Sequence, residues 1–141
     1  MEGRQIYLFT GLQIVAVSAL LWFLITWPVP WNVQRYLGTV LVVVGISFIG
    51  VARYQLGKSF SVKPEARKLV TTGLYSKIRN PIYVFGMVMI TGLIVAVQRP
   101  ALLMLLVIVA IGQMIRARRE ARVLEAAFGD AYREYRLKTW F

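Results

Sequence analysis

The chain has 141 residues, 58% of which are hydrophobic, and a formal net charge of +11. Water-soluble domains average about 45–50% apolar residues, so this composition indicates a membrane protein. The absence of cysteine and histidine excludes disulfides and thiolate chemistry and removes the commonest general base and metal ligand. Metal-dependent hydrolysis and Ser-His catalysis are therefore not expected, and no metal site is predicted.

The hydrophobic residues are concentrated in four blocks that contain no acidic or basic side chain. A helix needs roughly 17–25 apolar residues to cross a bilayer. The fourth block reaches this length if the arginines that follow it snorkel to the interface. We therefore predict a single-domain (1–141), all-α integral membrane protein with about four transmembrane helices. These are expected at about 6–27, 36–52, 81–97 and 101–127, with a loop at 53–80 and a tail at 128–141.

The first predicted helix ends at Trp27-Pro28-Val-Pro30-Trp31, where proline stops the helix and tryptophan suits the membrane interface. The apolar run of this first helix is too long for the hydrophobic core of a signal peptide, and no small-residue cleavage pattern follows it. The second helix carries Gly38, Gly45 and Gly50. Small residues let helices approach closely in lipid, so we assign these glycines a packing role. They would also permit a homodimer.

The long loop 53–80 ends at Asn80-Pro81, where proline suits the first helical turn because its missing N–H is not needed there. Arg99-Pro100 predicts a tight turn, so the third and fourth helices are expected to form an antiparallel hairpin. Gly129 is predicted to cap the fourth helix. Asp130 is predicted as the N-cap of a last short helix, which places Tyr132 and Tyr135 on one face.

The basic residues are concentrated in two regions of the chain. Seven of the 17 lie in 53–79 and seven in 116–138, whereas the connections after the first and third helices carry one each. Positive residues mark cytoplasmic segments, so the N-terminus, the 53–80 loop and the C-terminus are predicted to be cytoplasmic. The same residues would attract anionic membrane lipids. Nucleic-acid binding is not expected, because the charges flank apolar spans.

Two motifs lie on either side of the predicted hairpin. The first is Leu69-Val-Thr-Thr-Gly-Leu-Tyr75, then Arg79-Asn-Pro-Ile-Tyr83; the second is Glu120-Ala-Arg-Val-Leu124, then Phe128-Gly129, Tyr132 and Tyr135. In order and spacing they resemble the isoprenylcysteine carboxyl methyltransferase family and its relatives, the phospholipid N-methyltransferases. That family reads approximately L-V-T-x-G-x-Y, three residues, R-H-P-x-Y, and later E-E-x-x-L-x-x-x-F-G-x-x-Y-x-x-Y. The resemblance covers about half of the chain, and Asn80 and Ala121 replace the usual His and second acidic residue.

The resemblance implies an enzyme that binds S-adenosylmethionine on the cytoplasmic side of the third and fourth helices. Glu120 would hold the amino group of the cofactor, and Arg116 would bind the polar end of the substrate. The other residues implied to line the cofactor are Arg67, Lys68, Leu69, Val70, Tyr75, Asn80, Pro81, Ile82 and Tyr83. No catalytic nucleophile is expected in the protein, because methyl transfer needs none.

Residue chemistry agrees with these implied roles. A carboxylate can pair with the ammonium of the cofactor, and tyrosine rings can receive a methyl-sulfonium by cation–π contact worth about 0.5–2 kcal/mol. Arg116 and Glu120 are four residues apart and therefore share a helix face. Transfer of a methyl group from a sulfonium to an anion destroys charge, which a dry site favours, and alignment of the reactants can supply roughly 7–11 kcal/mol.

The acceptor is expected to be a lipophilic small molecule or a lipid, either a carboxylate on an isoprenoid-like molecule or a phospholipid amine. An amine must lose a proton, and the sequence offers no dedicated base, which favours carboxyl methylation. Two alternatives remain open. One is an NADPH-dependent enzyme similar to sterol reductases, against which the small number of spans argues. The other is a non-catalytic membrane scaffold, which the departures at Asn80 and Ala121 motivate.

Overall fold

The computed structural model describes residues 2–57 and 69–141. Over these ranges the chain is helical and has no β-strand, in agreement with the predicted all-α class. The helices are α1 (Glu2–Thr26), α2 (Val33–Leu56), α3 (Pro81–Val97), α4 (Leu103–Phe128) and α5 (Asp130–Lys138). Two 3₁₀ turns, Gly73–Ser76 and Pro100–Leu102, precede α3 and α4.

Helix α2 is longer at both ends than the apolar pattern predicted. It begins at Val33 rather than 36, because the Asn32 side chain caps it by accepting a hydrogen bond from Arg35 N at 2.9 Å. It continues past 52 to Leu56 and ends at Gly57, whose φ of 51° no longer fits a helix. Residues 53–56, which were predicted to lie in the loop, therefore belong to α2.

The other helices differ from the prediction mainly at their ends. Helix α1 covers 2–26 rather than 6–27, and α4 begins at Leu103 because Pro100–Leu102 forms a 3₁₀ turn. Gly129 ends α4 as expected, with a φ of 54°. The predicted N-cap was wrong: Gly129 occupies that position, and Asp130 is the first residue of α5. Its carboxylate accepts a hydrogen bond from Arg133 Nη1 at 3.0 Å instead.

Two segments of the described chain are long and apolar enough to cross a bilayer, Val33–Leu56 and Pro100–Phe128. Thr10–Thr26 and Pro81–Val97 are apolar but shorter, at the lower limit of roughly 17 residues for a span. The structure therefore shows two candidate spans where the sequence predicted four. The spanning role of the other two helices stays a prediction.

The closest packing in the described structure is between α2 and α3. A Cβ atom on Gly38 would lie 2.6 Å from Gly92 O, and one on Gly45 would lie 2.7 Å from Met89 Cβ. Glycine at these positions lets the two backbones approach, as predicted. Gly50 has no such neighbour within 4 Å. Because Gly38 and Gly45 are used within one chain, they give no support to a homodimer.

Helix α1 joins this pair through a small apolar core. Leu24 of α1, Val42 of α2 and Ala96 of α3 are buried together. The partly buried residues packed around them are Leu20, Ile46, Met89 and Leu93. The core thus lies where these three helices meet, near the end of α1.

Arg35 is a buried structural residue, 2% exposed, although the sequence suggested only a charge in a connection. Its Nη2 donates to Leu24 O at 2.5 Å and to Ile25 O at 3.4 Å, and its Nη1 donates to Val29 O. The guanidinium lies 4.1 Å from the centre of the Trp31 ring. Arg35 therefore satisfies carbonyl groups at the end of α1 that have no helical partner.

Helix α4 returns antiparallel to α3, as predicted. The turn between them begins at Gln98, which has a left-handed conformation and exchanges side-chain hydrogen bonds with Asn32 at 3.1 and 3.2 Å. Toward the open end of the α3–α4 hairpin, a Cβ atom on Gly86 would lie 3.4 Å from Gln113 Nε2 of α4. The first turn of α3 therefore lies beside the polar half of α4.

Candidate active site

The candidate site begins at the first turn of α3. Pro81 is the first residue of the helix and is fully buried. Asn80 occupies the N-cap position but uses its backbone carbonyl, which accepts from Tyr83 N at 3.0 Å and Val84 N at 3.1 Å. The prediction that Pro81 begins the helix is confirmed. The turn places Tyr83 next to α4.

Tyr83, Arg116 and Glu120 form one hydrogen-bonded cluster. The Tyr83 hydroxyl donates to Glu120 Oε1 at 2.5 Å, and Arg116 Nε donates to the same oxygen at 3.2 Å. The Arg116 guanidinium lies 5.8 Å from the centre of the Tyr83 ring. The shared helix face predicted for Arg116 and Glu120 is therefore present, and α3 adds Tyr83 to it.

The cluster is partly open. The Glu120 side chain is 27% exposed and that of Arg116 is 47% exposed. Among the described residues, none donates a hydrogen bond to Glu120 Oε2. A carboxylate has about four lone-pair sites, so Glu120 retains capacity to bind a cationic group that approaches from the open side.

The 3₁₀ turn before α3 brings Tyr75 close to this cluster. Tyr75 is 6% exposed. Burial raises the pKa of its hydroxyl above the usual range, and the negative charge of Glu120 adds to the increase. The phenol of Tyr75 is therefore neutral at ordinary pH. Helix α2 holds the same 3₁₀ turn in place, because Leu74 N donates to Gln55 Oε1 at 2.7 Å.

Helix α5 packs on the same turn. Tyr132 and Tyr135 are buried on one face of α5, as predicted, with ring centres 6.2 Å apart. The Tyr135 hydroxyl donates to Tyr75 O at 2.7 Å. Burial raises the pKa of Tyr135 to about 12, so this donor keeps its proton over the physiological range.

The residues after α5 pair with the backbone of the loop. Trp140 forms an isolated parallel bridge with Ile78: Trp140 N donates to Lys77 O at 3.0 Å, and Arg79 N donates to Trp140 O at 3.1 Å. Asn80 N donates to Phe141 O at 2.9 Å. Sequence reasoning missed this contact, because a bridge of two residues has no periodic signal.

The structure brings six of the predicted site residues into one region: Tyr75, Asn80, Pro81, Tyr83, Arg116 and Glu120. Ile82 is half-buried in the first turn of α3, and Leu69 and Val70 are half-buried before the 3₁₀ turn Gly73–Ser76. Arg67 and Lys68 lie outside the described residues. No group of three or more acidic side chains able to hold a metal is found within 2–57 and 69–141.

Comparison with known families identifies the chain. The family model for Phospholipid methyltransferase matches residues 33–131. The chain belongs to this family. The matched region runs from the start of α2 to the start of α5 and contains Tyr75, Tyr83, Arg116 and Glu120. It confirms the resemblance drawn from the motifs, and it implies a membrane methyltransferase that acts on lipids. No curated protein and no solved structure matches the chain.

Proposed function

We propose that this member of the phospholipid methyltransferase family uses S-adenosylmethionine to methylate a lipid acceptor at the membrane surface. The observation that carries the proposal is the hydrogen bond between Tyr83 and Glu120. It joins the first turn of α3 to the polar half of α4, where the two family motifs meet. Neither motif alone would form a site, and their contact supports the proposal that they form one together.

The charges of the described residues are complementary to those of this cofactor. The partly exposed Glu120 carboxylate would pair with the ammonium of the donor, because Tyr83 and Arg116 occupy only its Oε1. The rings of Tyr75 and Tyr83 would lie near the cationic sulfonium, a contact worth about 0.5–2 kcal/mol. The remaining proposed lining consists of Arg67, Lys68, Leu69, Val70, Asn80, Pro81 and Ile82.

When bound, the cofactor supplies a methyl group on a sulfonium, and the protein supplies position and environment. Tyr83 and Arg116 fix the orientation of Glu120, which would fix the donor. The buried Pro81 and Gly86 would limit access of water from the side of α3. Alignment of this kind can lower the barrier by roughly 7–11 kcal/mol. No side chain has to act as a nucleophile.

For the acceptor we favour a carboxylate on a lipophilic molecule. The exposed guanidinium of Arg116 would bind an anion, and a carboxylate needs no general base. An exposed apolar stripe on α4 leads along the helix toward this residue and would accommodate the hydrophobic part of the acceptor: Met104, Ile108, Ile111 and Ile115.

A second candidate is N-methylation of a phospholipid amine, which is also compatible with a phospholipid methyltransferase family. A cationic ammonium would bind near Glu120, while Arg116 would pair with the phosphate of the same lipid. The amine must lose a proton before it reacts. The Glu120 carboxylate, which accepts a hydrogen bond from Tyr83, is the group of the site that would accept this proton.

The proposed topology follows from the positions of the charges. With α1 and α3 counted as spans beside α2 and α4, the N-terminus, the loop before α3 and the C-terminal tail would all face the cytoplasm. Arg35, in the connection between α1 and α2, is buried against helix carbonyls. It is therefore accounted for by the fold and does not argue against this orientation. The cofactor site would then face the water-soluble donor pool.

Calorimetry with S-adenosylhomocysteine on the detergent-purified protein tests the proposal. We expect micromolar binding, weakened about tenfold or more in Glu120→Gln, which corresponds to a loss of about 1.4 kcal/mol or more. Glu134→Gln on α5 is the matched control, because Glu134 is exposed and pairs with Lys138 of the same helix. Absence of binding at high micromolar concentration, or equal binding by Glu120→Gln, would refute the cofactor assignment.

Thermal protection separates the other classes of function. S-adenosylmethionine is expected to raise the melting temperature of the protein, and NADPH is not. Protection by NADPH alone would instead indicate a reductase. A folded protein protected by neither compound, and purified with a fixed partner, would indicate a scaffold.

A further inference from the structure

We propose that the C-terminal clamp, which consists of Tyr135, Trp140 and Phe141, positions the loop 72–80 for binding of the cofactor. Its residues are positioning groups, since they contact the loop backbone rather than Glu120. The inference rests on the proposed function, because it assigns these residues a role toward the same site.

The loop has little regular structure of its own. Its 3₁₀ turn spans only Gly73–Ser76, and the backbone then passes through Lys77–Asn80 before α3 begins. Unpaired backbone groups in a part-buried segment are costly, at about 1–3 kcal/mol each. The conformation of this stretch therefore depends on partners from elsewhere in the chain.

The clamp supplies most of those partners. Three backbone hydrogen bonds connect residues 140–141 with 77–80, and the Tyr135 hydroxyl adds a fourth to Tyr75 O. Gln55 of α2 also holds the loop, because it accepts a hydrogen bond from Leu74 N. Two of the clamped amides, Arg79 N and Asn80 N, immediately precede the turn that carries Tyr83.

The clamp is also tied to the helix that carries Glu120. Five residues after Glu120, Glu125 accepts from Arg133 Nε of α5 at 2.9 Å and lies 3.7 Å from Arg136 Nη1. Helix α5 therefore connects α4 to the loop. Since the site is made from α4 on one side and the loop on the other, α5 and the clamp set the distance between its two halves.

Trp140→Pro tests this role in the full chain in detergent. Proline removes the Trp140 N–H that donates to Lys77 O, whereas Trp140→Ala removes only a largely exposed ring (57% exposed for the residue). We expect Trp140→Pro to bind S-adenosylhomocysteine about tenfold more weakly than the wild type and at least about fivefold more weakly than Trp140→Ala. Hydrogen exchange at residues 77–80 should accelerate in the same variant, with little change in α2.

Two further variants separate positioning from general stability. Tyr135→Phe removes one hydrogen bond to the loop, and we expect it to weaken binding roughly threefold to tenfold. Leu24→Ala creates a cavity in the core far from the loop, so it should lower the melting temperature without a change in affinity. If the clamp has a positioning role, the affinity for S-adenosylhomocysteine should follow the hydrogen exchange of residues 77–80 and not the melting temperature.

The outcomes are distinguishable. If the wild type binds and Trp140→Pro binds equally well, the clamp does not position the site and the inference is wrong, whereas the proposed function stands. Unchanged exchange at residues 77–80 in Trp140→Pro would also overturn it. If the wild type does not bind S-adenosylhomocysteine, the proposed function fails and the role assigned to the clamp fails with it.

Discussion

Glu120 and Arg35 are both held by hydrogen bonds, but their surroundings differ. Arg35 is 2% exposed, and its guanidinium is used by three carbonyl groups around the end of α1. Glu120 is partly exposed and has bonds to one oxygen only among the described residues. A charged residue whose hydrogen-bonding groups are used by the fold has a structural role. A charged residue that is partly exposed and has an unused hydrogen-bonding atom is available to a ligand.

The structural role of Arg35 predicts that its substitution lowers the stability of the protein. Arg35→Ala should lower the free energy of unfolding by about 2–4 kcal/mol, because it leaves carbonyl groups at the end of α1 without their donor. The exposed Arg99→Ala should change it by less than about 0.5 kcal/mol. Denaturant unfolding in a fixed detergent measures both. Equal stability of the two variants would contradict the capping role.

At the scale of elements, the contact between α2 and α3 supports the site. Gly38, Gly45 and Gly92 let the two helices approach. Helix α3 is thereby held on α2, and its first turn presents Tyr83 to α4. Packing between α2 and α3 and the hydrogen bond from Tyr83 to Glu120 thus both act on α3, through different residues.

Gly38→Ala should therefore destabilise the protein by about 1–3 kcal/mol, because the new methyl group would overlap the backbone of Gly92 and Ala96. Gly50→Ala is the matched control on the same helix, since it has open space around it. Alanine also favours a helix interior, so the control should be neutral or slightly stabilising. A neutral Gly38→Ala would show that the helices are not in close contact there.

The sequence predicted the elements better than the contacts between them. Charge-free blocks, Pro81 and Gly129 located helices and two of their ends, because these signals are local. Arg35 was missed, since its carbonyl partners come from the preceding helix and connection. The bridge at Trp140 was missed as well, because a single pair of residues leaves no pattern.

For the candidate site, too, the sequence predicted local features but not the contacts between elements. The spacing of Arg116 and Glu120 predicted their shared face, since four residues make about one helical turn. Nothing in composition or periodicity connected Tyr83 to Glu120, and only the family resemblance placed both near one ligand. The hydrogen bond between them depends on the antiparallel return of α4, a tertiary feature.

At the scale of the whole molecule, the proposed function requires the chain to have one fixed orientation in the membrane. The chain has no cysteine, so single-cysteine variants can be labelled with a membrane-impermeant maleimide without background. Pro28→Cys and Arg99→Cys should be labelled from outside intact cells, and Leu137→Cys only after permeabilisation. Equal access to Arg99→Cys and Leu137→Cys from outside would contradict α4 as a span.

The most direct test of the central claim is transfer of labelled methyl groups from S-adenosylmethionine to a total lipid extract, with the product identified by mass. The account predicts a methylated lipid with the wild type and at least about a tenfold lower rate with Glu120→Gln at limiting cofactor. A base-labile product would identify a methyl ester, and a stable one an N-methylated lipid. A folded wild type that leaves every lipid in the extract unlabelled would contradict the account.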